Sequence, residues 1–156
     1  MNILAIDPGT KCGWALYRGG RLDGSGVWDL KIQRHEGEGI RWIRFRKFLD
    51  LVENVDLVAF EEVRHHAGVI AAHTYGAMVA IITAWAEANK VQYVSVPVGT
   101  VKKFATGKGN ADKGQMIEAC QEKLNIQTND DNEADALWIL DWAKENYGGE
   151  KALEAH

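Results

Sequence analysis

The chain has 156 residues, 46% of them hydrophobic and 26% charged, with a formal net charge of −4. That length fits one globular domain, 1–156, with a sizeable core, and the expectation is that no second catalytic domain accompanies it. The acidic balance argues against a general nucleic-acid-coating protein, whose phosphate contacts show as an excess of Lys and Arg. Cys12 and Cys120, far apart and without zinc-type spacing, read as reduced structural thiols. The N-terminus lacks the basic stretch and long apolar core of a signal peptide, and no run approaches about 18 apolar residues. The expectation is a cytoplasmic protein with no membrane partner.

Ile3-Leu4-Ala5-Ile6-Asp7 reads as a buried strand that ends on a carboxylate, with Pro8-Gly9-Thr10 as a turn after it. Gly13 to Tyr17 and Ser25 to Leu30 read as two further strands around a turn at Arg18-Gly19-Gly20-Arg21, giving an antiparallel meander. Helical spacing of Ile40, Ile43, Phe48 and Leu51 predicts a helix from about Glu38 to Val52, and a strand follows at 56–60. A second helix is predicted from about Ala67 to Asn89. Its small and apolar composition suggests burial on more than one side, by a core or a dimer partner. Val91 to Val96 forms a fifth strand stopped by Pro97. Thr100 to Phe104 is a short helix, Thr106 to Asn110 a loop, and Lys113 to Leu124 a helix. The last helix runs from about Asn132 to Tyr147 and stops at Gly148-Gly149, leaving 149–156 as a frayed tail. The predicted fold class is α/β, a mixed five-stranded sheet with helices on both faces.

An ionised carboxylate at the end of so apolar a strand is costly unless a cation, hydrogen bonds or protonation compensates it. Asp7 is therefore a candidate metal ligand, although Asp-Pro-Gly-Thr also suits a plain turn. Two later sites repeat the pattern: Val58-Ala59-Phe60-Glu61-Glu62 is an apolar run ending on acids, and Asp130-Asp131-Asn132-Glu133-Ala134-Asp135 leads into the last helix. Residues three and four apart share a helix face, so Asp131 or Asn132 can stand beside Asp135. Acids at a helix start also suit the helix dipole without any metal. Three such positions can converge on hard divalent cations, which take oxygen ligands. Two ions about 3.5–4 Å apart can activate a water and stabilise the leaving oxygen of a phosphodiester.

The basic residues are clustered. Arg41-Trp42-Ile43-Arg44-Phe45-Arg46-Lys47 has four cations and no acid, and Lys102-Lys103 with Lys108 and Lys113 lie around the loop Thr106-Gly107-Lys108-Gly109-Asn110. The first cluster reads as a solvated helix face, with Arg41 and Arg44 kept as DNA-contact candidates. The second, with Lys102, Lys103, Lys108 and Lys113, reads as a phosphate-facing surface.

With these features in order, the chain resembles RuvC-type Holliday junction resolvases of the ribonuclease H-like superfamily. The likeness rests on Ile6-Asp7-Pro8-Gly9-Thr10 with Gly13-Trp14-Ala15, Phe60-Glu61-Glu62-Val63, Val101-Lys102-Lys103 with Gly107 to Lys113, and Glu133-Ala134-Asp135-Ala136-Leu137. It implies Asp7, Glu61 and Asp135 as metal ligands, with Asn132 as the family-aligned fourth position and Asp131 as its rival. Asn132 stands where the family carries an acid or histidine. The resemblance implies Lys102 and Lys113 near the scissile phosphate, and a loop after Glu61 that probes the junction centre. Here that loop reads Val63-Arg64-His65-His66, so Arg64 and His65 replace the usual aromatic as DNA contacts. It further implies two Mg2+ ions, or Mn2+, per site, a homodimer, and paired symmetric nicks leaving 5′-phosphate and 3′-hydroxyl ends; the residues point to no particular helicase partner. A less specific nuclease for branched or flap DNA, and a junction-binding protein with a weakened site, are the rival readings. An ATP-binding domain of the actin or sugar-kinase type needs two lobes, for which the chain is too short.

Overall fold

The computed structural model describes residues 1–148; the predicted frayed tail 149–156 lies outside the described residues. The chain order is β1 (Ile3–Asp7), β2 (Lys11–Arg18), β3 (Arg21–Asp29), α1 (Glu38–Leu51), β4 (Leu57–Glu62), α2 (Val69–Ala88), β5 (Gln92–Pro97), α3 (Val98–Thr106), α4 (Lys113–Ala119) and α5 (Asp131–Tyr147). The strands form one sheet in the order β3-β2-β1-β4-β5. β1–β2 and β2–β3 are antiparallel, and β1–β4 and β4–β5 are parallel. β1 is central and buried along its whole length, which is why its sequence is an unbroken apolar run rather than an alternating one. The β2–β3 hairpin turns on Gly19 and Gly20, both at positive φ as a type I′ turn requires.

The sheet has a core on each face. Ile3, Ala5, Leu57, Ala59 and Val96 pack under α3, α4 and α5, whereas Leu4, Ile6, Val58 and Phe60 pack under α1 and α2. Trp14 and Trp28 stack at 5.5 Å between ring centroids, and Trp28 stacks on Phe48 at 5.1 Å. Both cysteines are buried and free, in line with the expectation of reduced thiols.

Two local expectations are corrected. β3 begins at Arg21, not Ser25, because pairing with β2 carries the polar Arg21-Leu22-Asp23-Gly24 stretch into the ladder. The predicted 113–124 helix is α4 followed by a π-helical turn, Cys120–Leu124, closed by Asn125 in the left-handed region. Within one chain α2 is covered through Met78, Ile82, Trp85 and Ala86, while Val69 and Ile70 are 71% and 83% exposed, and the expected cover by a dimer partner is a matter for a second copy. The helix is also long and apolar enough to cross a membrane by length and composition, with a mean hydropathy of 1.5, although only 22% of that window is buried. Interspersed Thr, Tyr, Gly and His keep the apolar run discontinuous while the average stays high.

Candidate active site

β1 and β4 run in the same direction, with Ile6 opposite Phe60. Side chains alternate along a strand. Ile3, Ala5 and Asp7 therefore face the α5 layer, and so do Leu57, Ala59 and Glu61; the apolar members of both sets lie in that core. One step beyond the last paired residues, Asp7 and Glu61 come side by side and their side chains share a hydrogen bond. From above, α5 brings Asp135 into electrostatic contact with both.

The placement of α5 depends on close backbone approach. Gly13, in β2, leaves room for the Asn132 carbonyl: a Cβ at that position would lie 1.9 Å from the carbonyl oxygen. Asp130 caps the helix, its carboxylate accepting the Asn132 N–H at 2.8 Å and the Glu133 N–H at 3.2 Å. Glu133 accepts hydrogen bonds from Ser25 Oγ at 2.7 Å and Thr128 Oγ1 at 2.6 Å, so β3 and the preceding loop fix the same turn.

Burial, then repulsion from Glu61 and Asp135, pushes the Asp7 carboxyl well above the usual range. Burial also raises Glu61, opposed by its hydrogen bond to Asp7 and by the Lys102 charge. Asp135 is pushed up to about 7 by burial, then by Glu61 and Asp131, against the lowering charges of Lys102 and Lys113. Three carboxyls that resist ionisation in one another's presence form an all-oxygen donor set, which suits a hard divalent cation. Among the described residues, no three His, Cys, Asp or Glu side chains already stand in coordinating geometry. The fit rests on donor chemistry and mutual electrostatics.

The two candidates for the fourth position differ in what engages them. Asp131 forms an ion pair with Lys113 at 3.1 Å, and its charge acts on both Asp7 and Asp135. Asn132 is held through its backbone, by the Asp130 cap and the Gly13 cradle.

Lys102 lies in α3, where its charge reaches Glu61 and Asp135. Lys113 is the exposed first residue of α4, behind an Asp112–Gln115 capping box. Lys103 and Lys108 are exposed nearby. Beyond Glu61, Arg64 and His65 are exposed, Arg64 pairing with Glu62 at 3.0 Å. The turn Pro8–Thr10, the loop around His66 and the first turns of α2 wall a groove of about 840 Å³ just past the ends of β1 and β4, which the three acids themselves do not line.

Arg41 and Arg44 are not brought to this cluster. Both lie on α1, across the sheet from α5. Arg41 donates to the Leu30 carbonyl at 3.0 Å and to Glu38 at 2.6 Å, and Arg44 grips Glu36 with two hydrogen bonds, holding that carboxyl down to about 2. Sequence reasoning missed Tyr75, whose hydroxyl bonds the backbone on both sides of Glu62, since nothing local to a helical tyrosine signals that contact.

An α/β sheet of this order, with an acid at the tips of two adjacent parallel strands and a third on a helix laid over them, is the ribonuclease H-like architecture. Within it, the fold is that of RuvC-type resolvases. Thermus thermophilus RuvC in complex with Holliday junction substrate superposes with a TM-score of 0.73 at 24% identity, covering 89% of this chain and 90% of that one. The Thermus thermophilus RuvC structure gives 0.70 at 23% identity, with 89% and 90% covered. The yeast mitochondrial Holliday junction resolvase gives 0.62 at 15% identity, covering 88% of this chain and 75% of that one. No family model matches the chain, and no curated protein does.

Proposed function

We propose that this chain is a metal-dependent endonuclease that resolves four-way DNA junctions by paired, symmetric nicks, working as a homodimer. The observation that carries the reading is the meeting of Asp7, Glu61 and Asp135, from three separate elements, beside the Lys102 charge. The solved structures of the same fold act on, or are bound to, Holliday junctions.

Asp7, Glu61 and Asp135 would hold two Mg2+ or Mn2+ ions, with Asn132 or Asp131 completing one shell. Bound there, such ions supply an activated water and charge neutralisation at the leaving oxygen. Lys102, whose charge reaches Glu61 and Asp135 from α3, would stabilise the negative charge that develops on the phosphate. Arg64 and His65 offer exposed contacts to DNA at the groove mouth, and Lys103, Lys108 and Lys113 provide the surface along which a junction arm would run. Two nicks on opposed strands require two sites, which a two-fold dimer supplies. The incomplete cover of the long apolar helix α2 within one chain supports that assembly.

Incubating the protein with a synthetic four-way junction, a flap, a linear duplex and an RNA–DNA hybrid in Mg2+ tests the reading in one gel. Paired nicks confined to the junction are expected. Equal cutting of the flap supports the less specific nuclease instead, because the 63–66 loop lacks an aromatic probe. Binding without cutting in either Mg2+ or Mn2+ supports a junction-binding protein.

A further inference from the structure

The tip of β4, where its carboxylate stands, is bordered by proline on each neighbouring strand. On one side Glu61 lies opposite Val96 and Glu62 opposite Pro97; on the other, β1 passes from Asp7 into Pro8. These are the only two prolines in the chain, and neither has an N–H to donate to the tip of β4. A strand end flanked by prolines on both neighbours would fray unless another element held it.

Tyr75, reaching from α2, supplies that hold. Its hydroxyl donates to the Glu61 carbonyl at 3.0 Å and accepts the Val63 N–H at 3.3 Å. The backbone around Glu62 is thus clasped from the α2 side, while the Glu61 carboxylate is presented to the α5 side beside Asp7. The same ring lies 5.1 Å from His66 and lines the groove, so the loop after Glu61 and the acid itself share one anchor.

We propose that Tyr75 is a positioning residue for the metal site, fixing Glu61 through its main chain and coupling it to the groove-facing loop 63–68. This rests on the metal-dependent nuclease reading above. Residues that orient metal ligands commonly change metal affinity or activity by about 10–100-fold when altered.

The test compares the wild type, Tyr75→Phe and Tyr93→Phe. Tyr93→Phe is a matched control, because it removes a tyrosine hydroxyl that, among the described residues, is bonded only to Glu87, at 3.1 Å and away from the acids. For each protein, Mn2+ binding is measured by calorimetry without DNA, single-turnover junction cleavage in Mg2+, junction affinity in EDTA, and the melting temperature. Tyr75→Phe is expected to lower Mn2+ affinity and the cleavage rate about tenfold each, with junction affinity in EDTA unchanged and Tyr93→Phe like wild type throughout. A Tyr75→Phe protein that melts lower yet binds Mn2+ as tightly as wild type overturns the positioning role, as does one that keeps both properties. A wild type that binds no Mn2+ and cuts no junction overturns the nuclease reading together with it.

Discussion

Replacing Gly13 with alanine drives a methyl group into the start of α5. The new Cβ would lie 1.9 Å from the Asn132 carbonyl oxygen and 2.4 Å from its carbon, both backbone atoms, and contacts under 3.0 Å are essentially never observed. Restoring 3.0 Å from 1.9 Å requires β2 and the α5 N-terminus to part by at least 1.1 Å. Overpacking of this kind costs about 1–3 kcal/mol, and in a domain of this size each kcal/mol lowers the melting temperature by about 2–4 °C. Asp135 sits one turn into the displaced helix, and a misplacement of about 1 Å can cost about 100-fold in rate. Gly13→Ala is therefore expected to fold, melt several degrees lower and cleave a four-way junction about 100-fold more slowly at saturating Mn2+. Gly39→Ala, at a helical glycine whose Cβ would meet open space, should instead stabilise the protein by about 0.5–1 kcal/mol and leave the rate alone. A Gly13→Ala protein that melts low but cleaves at the wild-type rate would show that the strain is absorbed away from Asp135 and would refute this account.

Further outcomes follow from the same geometry. Because the folded Asp135 carboxyl is raised from 3.8 to about 7, the folded state holds a proton that the unfolded chain releases. In EDTA, the stability associated with that proton is fully present below about pH 4 and lost as pH rises through about 7, so the melting temperature should fall between pH 5 and 8, less steeply in Asp135→Asn. Lys102→Ala should slow cleavage by about 100–1,000-fold, the usual cost of losing a preorganised charge stabiliser, with junction affinity in EDTA little changed. Comparing Asn132→Ala with Asp131→Ala assigns the fourth ligand: the variant with the weaker Mn2+ binding identifies it, and normal cleavage by Asn132→Ala beside a dead Asp131→Ala would move the role to Asp131. Arg44→Ala, which removes only the pairing with Glu36, should leave the salt dependence of junction binding unchanged, whereas loss of a true phosphate contact lowers the slope by about 1.

The part of the site that could be read from the sequence is the part built by alternation and local order. Asp7 and Glu61 were legible because each closes a short apolar run, and the strand period settles which layer each faces once the neighbours are known. Asp135 was legible from the helical spacing of its segment. Partners that meet across loops were not. Arg44 reaches back to Glu36 in the segment before its own helix, so a run of cations that reads as free is mostly neutralised. Composition likewise reports how apolar α2 is, and the packed neighbours decide how much of it one chain covers. The π-helical turn at Cys120–Leu124 left no mark in an otherwise continuous helical pattern.

The even–odd facing of β1 and β4 has a consequence for how this chain can vary in length. Removing or adding one residue between Ile3 and Asp7 would swing the carboxylate into the layer filled by Leu4, Ile6 and Phe60, where it would meet α1 and α2 rather than α5. Insertions are tolerable in the segment joining β3 to α1, which carries no member of the acid cluster, but the two short strands are fixed to the residue. Drift in this lineage should therefore gather in connections, leaving the count from Ile3 to Asp7 and from Leu57 to Glu61 untouched.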